Sequence, residues 1–417
     1  MRIDTIDDTD AFAKLAGEYD ELHARSSASE NPFLRHEWLH SWWLAYGEVH
    51  RLHVVTCRDD DGRLVGVLSG YITREGVLPP IRTMRLLADE FVGSAGLGPV
   101  VDRAVADEVV DALAEHVRAA TSPWDVADLR FLDTASAFFA HGLRAPGGGS
   151  VHVRPDSGAS PIVELAPDFD RFMAENLSKH VRHNVRRARK RTDEHCARFE
   201  LVTGGDGVPQ ALVDARRLFE QRMHTVVGTF FGVTPQFADF TRRMTALLAE
   251  QGRLRLGFLS VEGERVAFAY FFRFGMTVYA VQCGFAEEWA WLDVLKSLVS
   301  RMLEAAMAEG CTHLDYGLGD QAYKREWGRV EVVSFADVRI YTGSAAAHAG
   351  RLRDGVMDGA LDAVLASPEA VRGTLLRTAK HARAFLRGTK RAEGPKQADG
   401  PKQADGPKQA DGPKQDS

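Results

Sequence analysis

The spacing of apolar and polar residues changes period several times along this chain, and the clearest succession lies between residues 254 and 342. Leu254 to Val261 (LRLGFLSV), Arg265 to Phe274 (RVAFAYFFRF) and Thr277 to Phe285 (TVYAVQCGF) each carry a strand pattern. The Glu-Gly-Glu and Gly275-Met276 breaks between them leave room only for tight turns, so the pattern predicts an antiparallel meander. The period then lengthens: Leu295, Leu298, Val299, Met302, Leu303 and Ala306 line one face of a helix, with Asp293 at its N-cap and Gly310 at its stop. A short strand, THLDYGL, follows. After it come a glycine-bounded polar loop, GLGDQAYKREWG (Gly317 to Gly328), and a last strand, EVVSFADVRIYT (Glu331 to Thr342).

The first half repeats this order. RLHVVTCRD and RLVGVLSGYIT flank an Asp-Asp-Gly turn, DRAVADEVVDALAEHVRAA reads as a helix, and WDVADLRFL reads as the next strand. The repeat is one of architecture, without residue-level identity between the halves. The Gly/Pro/Ser-rich stretch RAPGGGSVHVRPDSGASP (Arg144 to Pro161) reads as the connector. The fold class expected is α+β, with domains at residues 1–155 and 156–345, each a mixed, mostly antiparallel sheet flanked by helices. Residues 346–391 read as a helical appendage interrupted at Ser-Pro-Glu, and the repeated Gly-Pro-Lys-Gln-Ala-Asp of 392–417 as a disordered tail.

Composition narrows the classes of function. The formal net charge of -6, from 52 basic and 58 acidic side chains, gives no global attraction for DNA or an anionic membrane, so an anion has to be held locally. The cysteines Cys57, Cys196, Cys283 and Cys311 are scattered without disulfide or metal-ligand spacing; no metal is expected, and reduced thiols suit a cytoplasmic location. The acidic start MRIDTIDDTDAFAKLAG lacks the features of a signal peptide, and the most apolar run, Val266 to Phe272, is too short to span a membrane.

Three stretches carry a family resemblance: NPFLRHEWLHSWWLAYGE near the start, NLSKHVRHNVRRARKR at Asn176 to Arg191, and EGCTHLDYGLGDQAYKREWG at Glu309 to Gly328. Together with the order of elements they resemble the tandem GNAT, FemAB-like acetyltransferases, including the CelD-type proteins of cellulose biosynthesis, over about residues 30 to 345. The resemblance implies two GNAT-like domains and an acyl donor, usually acetyl-CoA, whose pyrophosphate sits at the N-terminus of the helix after the meander. Unpaired amides and the helix dipole favour an anion there. This chain departs from the pattern at that point, because AEEWAWLD (Ala286 to Asp293) is acidic and has no glycine.

The basic segment offers a substitute. Leu177, Val181, Val185 and Ala188 recur at helical spacing, which leaves Arg182, Arg186, Arg187 and Arg189 either as a solvated face or as contacts for a phosphorylated ligand. By analogy of fold, the backbone at Gln282, Cys283 and Gly284 is the expected oxyanion contact. Asp320 is the expected base, with Asp315 as alternative base, substrate contact or buried structural carboxylate. Tyr323 is the expected acid for a leaving thiolate and Lys324 a contact for an acidic acceptor or a phosphate. Trp327 is either a flat surface for a ring or a packed core residue. Arg222 and His224 follow a helix leading to the cleft, with Arg222 a candidate substrate contact and His224 a second candidate base. The reading is acyl transfer from acyl-CoA to an amine or hydroxyl of a carbohydrate or small metabolite. The alternatives are FemAB-type aminoacyl transfer from tRNA and a non-catalytic interaction protein of a polysaccharide or secondary-metabolite pathway.

Overall fold

The computed structural model describes residues 1–75, 80–89, 92–119, 121–143, 150–226, 234–319, 321–352 and 354–355. The Ser-Pro-Glu break, most of the expected appendage and the repeat tail lie outside them. In the first half, β1 (Arg2–Ile6), β2 (Arg51–Arg58), β3 (Leu64–Glu75) and β4 (Ile81–Leu86) form an antiparallel series, with β5 (Val100–Val101) paired to β3 and β6 (Val126–Asp133) parallel to β4. Its helices are α1 (Thr9–Lys14), α2 (Ala16–Arg25), α3 (His36–Tyr46) and α4 (Ala106–Arg118).

The long strand β7 (Ser150–Glu164) opens the second half. It is followed by α5 (Phe169–Glu175), α6 (Lys179–Glu194), β8 (Arg198–Val202), α7 (Val208–Val226) and α8 (Pro235–Glu250). The predicted meander is present as β9 (Leu254–Val261), β10 (Glu264–Phe274) and β11 (Thr277–Phe285). After it come α9 (Val294–Ala308), β12 (His313–Asp315), α10 (Ala322–Arg325) and β13 (Val330–Tyr341).

The halves do not own separate sheets. One continuous sheet runs β1-β2-β3-β4-β6-β13-β7-β12-β11-β10-β9-β8. The last strand, β13, crosses back to pair with β6 of the first half, while β7 pairs with β12 of the second, and the two pair with each other in antiparallel register from Val330↔Val163 to Tyr341↔Ser150. The stretch read as a connector is therefore a central strand from Ser150 onward, and the expected division at residue 155 falls inside it. Its Gly and Pro content suggested a linker, but Pro155 lies in a bulge, between the Asp337↔Arg154 and Phe335↔Gly158 pairs, where a missing N–H is tolerated.

Alternation on β10 separates the two faces of the second half. Ala267, Ala269 and Phe271 pack with α5, α6 and α9, while Phe268, Tyr270 and Phe272 pack with α7 and α8. The latter layer joins α3: Trp38 meets Phe240 at 5.2 Å and Phe272 at 5.8 Å between ring centroids, and Glu37 pairs with Arg253 at 3.1 Å. The Tyr279 hydroxyl donates to the Glu30 carbonyl at 3.0 Å. Shared strands and a shared aromatic layer leave neither half a complete core. A chain ending at residue 355 is expected to unfold in one calorimetric transition, and Trp38→Ala to lower its stability by about 3–5 kcal/mol. Two separable transitions would contradict this coupling.

Candidate active site

Strand β11 runs parallel to β12 for three pairs only, ending at Tyr279↔Asp315. Its register with β10 slips just beyond, from Phe271↔Ala280 to Tyr270↔Gln282, so Val281 is an extra residue that bends β11 away. The chain after β12 instead follows β7: the Tyr316 amide donates to Pro161 and the Gly319 amide to Ala159. Gly317 and Gly319, with φ of 66° and 100°, supply the left-handed backbone this departure needs. The result is a wedge between Ala280–Gly284 and Tyr316–Gly319, at the end of the sheet where α9 begins. No strand pairs with this part of β11 on the wedge side among the described residues.

The first half parts β4 from β6 in the same way after Met84↔Ala127, but closes the gap itself. Leu97 bridges to Leu132 and donates its amide to Phe131, and buried Arg85 pairs with buried Asp128 at 3.4 Å. Among the described residues, the second wedge has no such closure.

Asp293 stands at the predicted N-cap of α9, but in a left-handed conformation (φ 57°), and its side chain caps nothing. Its carboxylate instead accepts from Arg187 at 3.5 Å and Arg191 at 3.3 Å. Both arginines come from α6, which is capped by Ser178 and laid along α9 by Val181, Val185, Ala188 and Thr192. The other expected phosphate contacts divide. Arg182 donates to the Met173 and Ala174 carbonyls and so closes α5. Arg189 donates to Ser300, pairs with Glu304 and lies over the face of Phe169, which turns it towards the α5 and α9 packing. Arg186 is exposed on the outer face of α6.

Around the wedge, Lys324 is buried and donates to the carbonyls of Tyr316, Gly317 and Leu318 at 3.0–3.1 Å. Through these bonds the lysine fastens the turn. Asp315 accepts from Ser160 (2.5 Å) and the Gly317 amide (2.7 Å), and burial raises its pKa against the opposing effect of those bonds. It takes the structural side of the alternative left open by the sequence. Trp327 is 5% exposed within the core beneath the loop, which excludes a role as an open platform. Arg222 pairs with Glu287 at 3.0 Å over the ring of Phe285.

Tyr323 is 55% exposed at the mouth, and partial burial raises its pKa. Gln282, Cys283 and Gly284 lie on the freed part of β11. Gly284 is required there because a Cβ would stand 3.0 Å from the Leu218 carbonyl of α7. Burial pushes the Cys283 thiol up, which keeps it protonated. Asp320 and the His224 side chain lie outside the described residues.

The sequence reading missed Tyr316, Arg191 and Trp291. Tyr316 shares the face of Leu314 and looks like a core aromatic; Arg191 was distinguishable from its basic neighbours only by three-dimensional position. Trp291 is 56% exposed beside His195 at the start of α9. Among the described residues no group of three His, Cys, Asp or Glu stands together as a metal site, and no helix is long and apolar enough to cross a membrane.

Comparison with known proteins assigns this geometry a class. Residues 179–325, from the first residue of α6 to the last of α10, match the family described as Acetyltransferase (GNAT) domain. Residues 179–325 are thus similar to the GNAT acetyltransferase domain, and the chain shares the fold of FemX. Among solved structures, FemX superposes with a TM-score of 0.58 at 14% identity, over 81% of this chain and 97% of its own. A conserved protein of unknown function from Bacteroides thetaiotaomicron VPI-5482 gives 0.51 at 13% identity, over 82% and 100%. A tandem GNAT protein from the clavulanic acid biosynthesis pathway gives 0.42 at 11% identity, over 82% and 100%. A search of curated proteins gave no match.

Two outcomes test the site's framework. Lys324→Met should lower stability in denaturant titration by about 2–4 kcal/mol, because it orphans three carbonyls. For Asp315 the folded pKa is raised, so its contribution is most favourable at acid pH and is lost as pH rises through that value. Asp315→Asn should therefore gain stability relative to the parent protein at pH 7, and the gain should vanish below the ordinary carboxylate range; a pH-independent difference would refute this.

Proposed function

We propose that this protein transfers an acyl group, acetyl or a near relative, from an acyl-CoA to an amine or hydroxyl of a carbohydrate or small metabolite. The observation that carries this reading is the second wedge, opened by the Val281 bulge beside the start of α9. Acyl-CoA supplies an activated thioester carbonyl and a thiolate leaving group. The β11 backbone at Gln282–Gly284 offers amides along which an extended donor arm is held and its carbonyl polarised. The uncapped first turn of α9, with Arg187 and Arg191 beside it, offers the seat for the anionic end.

Asp293 is the competing anion at that seat. It is partly exposed and its pairs are long, 3.3 and 3.5 Å, so a polyphosphate with more charge displaces it from the two arginines. The acceptor enters past Tyr323 and the Gly317–Gly319 turn. There Asp320 takes the acceptor's proton, and Tyr323, protonated at neutral pH, returns one to the thiolate.

Calorimetric titration with acetyl-CoA tests the reading. Micromolar binding is expected. Arg187→Ala with Arg191→Ala should weaken it at least tenfold, about 1.4 kcal/mol, and Asp293→Asn should strengthen it. Absence of binding at millimolar acetyl-CoA would overturn the assignment and direct the search to charged tRNA. In a turnover assay, Tyr323→Phe should lower kcat by about 10²-fold with little change in KM, the effect of losing one general acid.

A further inference from the structure

The hydroxyl of Tyr316 is buried and has no hydrogen-bond partner among the described residues. Five tyrosines elsewhere in the chain have a partner: Tyr19 in Ser69, Tyr71 in Asp89, Tyr270 in Thr245, Tyr279 in the Glu30 carbonyl and Tyr341 in Asp354. A buried hydroxyl without a partner is unfavourable, and phenylalanine would fill the same space without that penalty. The orphan also stands at the wedge. Tyr316 is the first residue of the chain after β12 has left β11, and its ring packs in the apolar cluster on the α9 side with Ala280, Cys283 and Phe285 of the opposing strand. The Lys324 ammonium holds the Tyr316 carbonyl at 3.0 Å, which fixes the backbone from which the ring projects.

We propose that the Tyr316 hydroxyl is a catalytic hydrogen-bond donor to the carbonyl oxygen of the bound acyl thioester, completing an oxyanion site with the β11 amides. This rests on the acyl-CoA reading above and adds the residue that recognises the acyl end rather than the nucleotide end. The acceptor's lone pair attacks the carbonyl carbon and the carbonyl electrons move onto oxygen, which accepts the hydrogen bond from the Tyr316 hydroxyl. The tetrahedral species then collapses, the C–S bond breaks with its electron pair on sulfur, and the acceptor's proton ends on the thiol. Tyr316 keeps its own proton throughout, as suits a phenol whose burial holds it well above its ordinary pKa.

The test is Tyr316→Phe in the full chain, read by calorimetry with acetyl-CoA and with free CoA, by infrared spectroscopy of acetyl-CoA labelled with carbon-13 at the carbonyl, and by thermal melting. The expected result is about tenfold weaker acetyl-CoA binding with unchanged CoA binding. The carbonyl stretch, shifted to lower frequency by the parent protein, should move back towards its solution value, and the melting temperature should be equal or higher. Equal loss of acetyl-CoA and CoA affinity, or a lower melting temperature, would make Tyr316 a structural residue and overturn the inference. An unchanged carbonyl stretch and affinity would overturn it too. If the parent protein binds neither ligand, the acyl-CoA reading itself fails and this inference falls with it.

Discussion

The antiparallel pair β7–β13 is the constraint on which this protein depends. Each strand follows one half and completes the sheet next to the other, so main-chain hydrogen bonds, which have to be made wherever backbone is buried, tie residues 150–164 to residues 330–341. With the pair in place, β12 has β7 to follow when it leaves β11. Without it, the turn at Gly317–Gly319 would have no backbone partner on that side and the wedge would have no second wall. The aromatic layer around Trp38, Phe240 and Phe272 adds apolar burial to the same connection.

A shared topology does not give the two halves equal chemistry. Both open a gap between parallel neighbours, as a strand–helix–strand crossover on a twisted sheet allows. In the first half the Leu97 segment and the Arg85–Asp128 pair occupy that gap; in the second, the Val281 bulge widens it and the described chain leaves it open. One half thus acts as a wall and the other as a cleft.

Charge on α6 shows how little a basic run says by itself. Arg182 and Arg189 satisfy carbonyls, a hydroxyl and a carboxylate of the chain, whereas Arg187 and Arg191 converge on Asp293 at the start of α9. Helical geometry sends neighbouring residues in different directions, about 100° apart, so the residues that reach one point are four apart rather than adjacent. Sequence spacing put forward Arg182, Arg186, Arg187 and Arg189 and passed over Arg191, whose partner Asp293 lies 102 residues away.

What the sequence determined by itself is the local order: the meander of β9, β10 and β11, helix α9 with its stop, the hairpin of β2 and β3, and the glycine-bounded loop after β12. Each follows from side-chain periodicity and turn chemistry, which act over a few residues. The reach of the Gly/Pro-containing β7, the crossing of β13 into the first half, the burial of Lys324, Asp315 and Trp327, and the burial of the Tyr316 hydroxyl without a partner among the described residues were decided by tertiary structure. They depend on hydrogen-bond and packing partners far away in the chain, such as Ser160 for Asp315 and Val163 for Val330, and no local pattern records those distances.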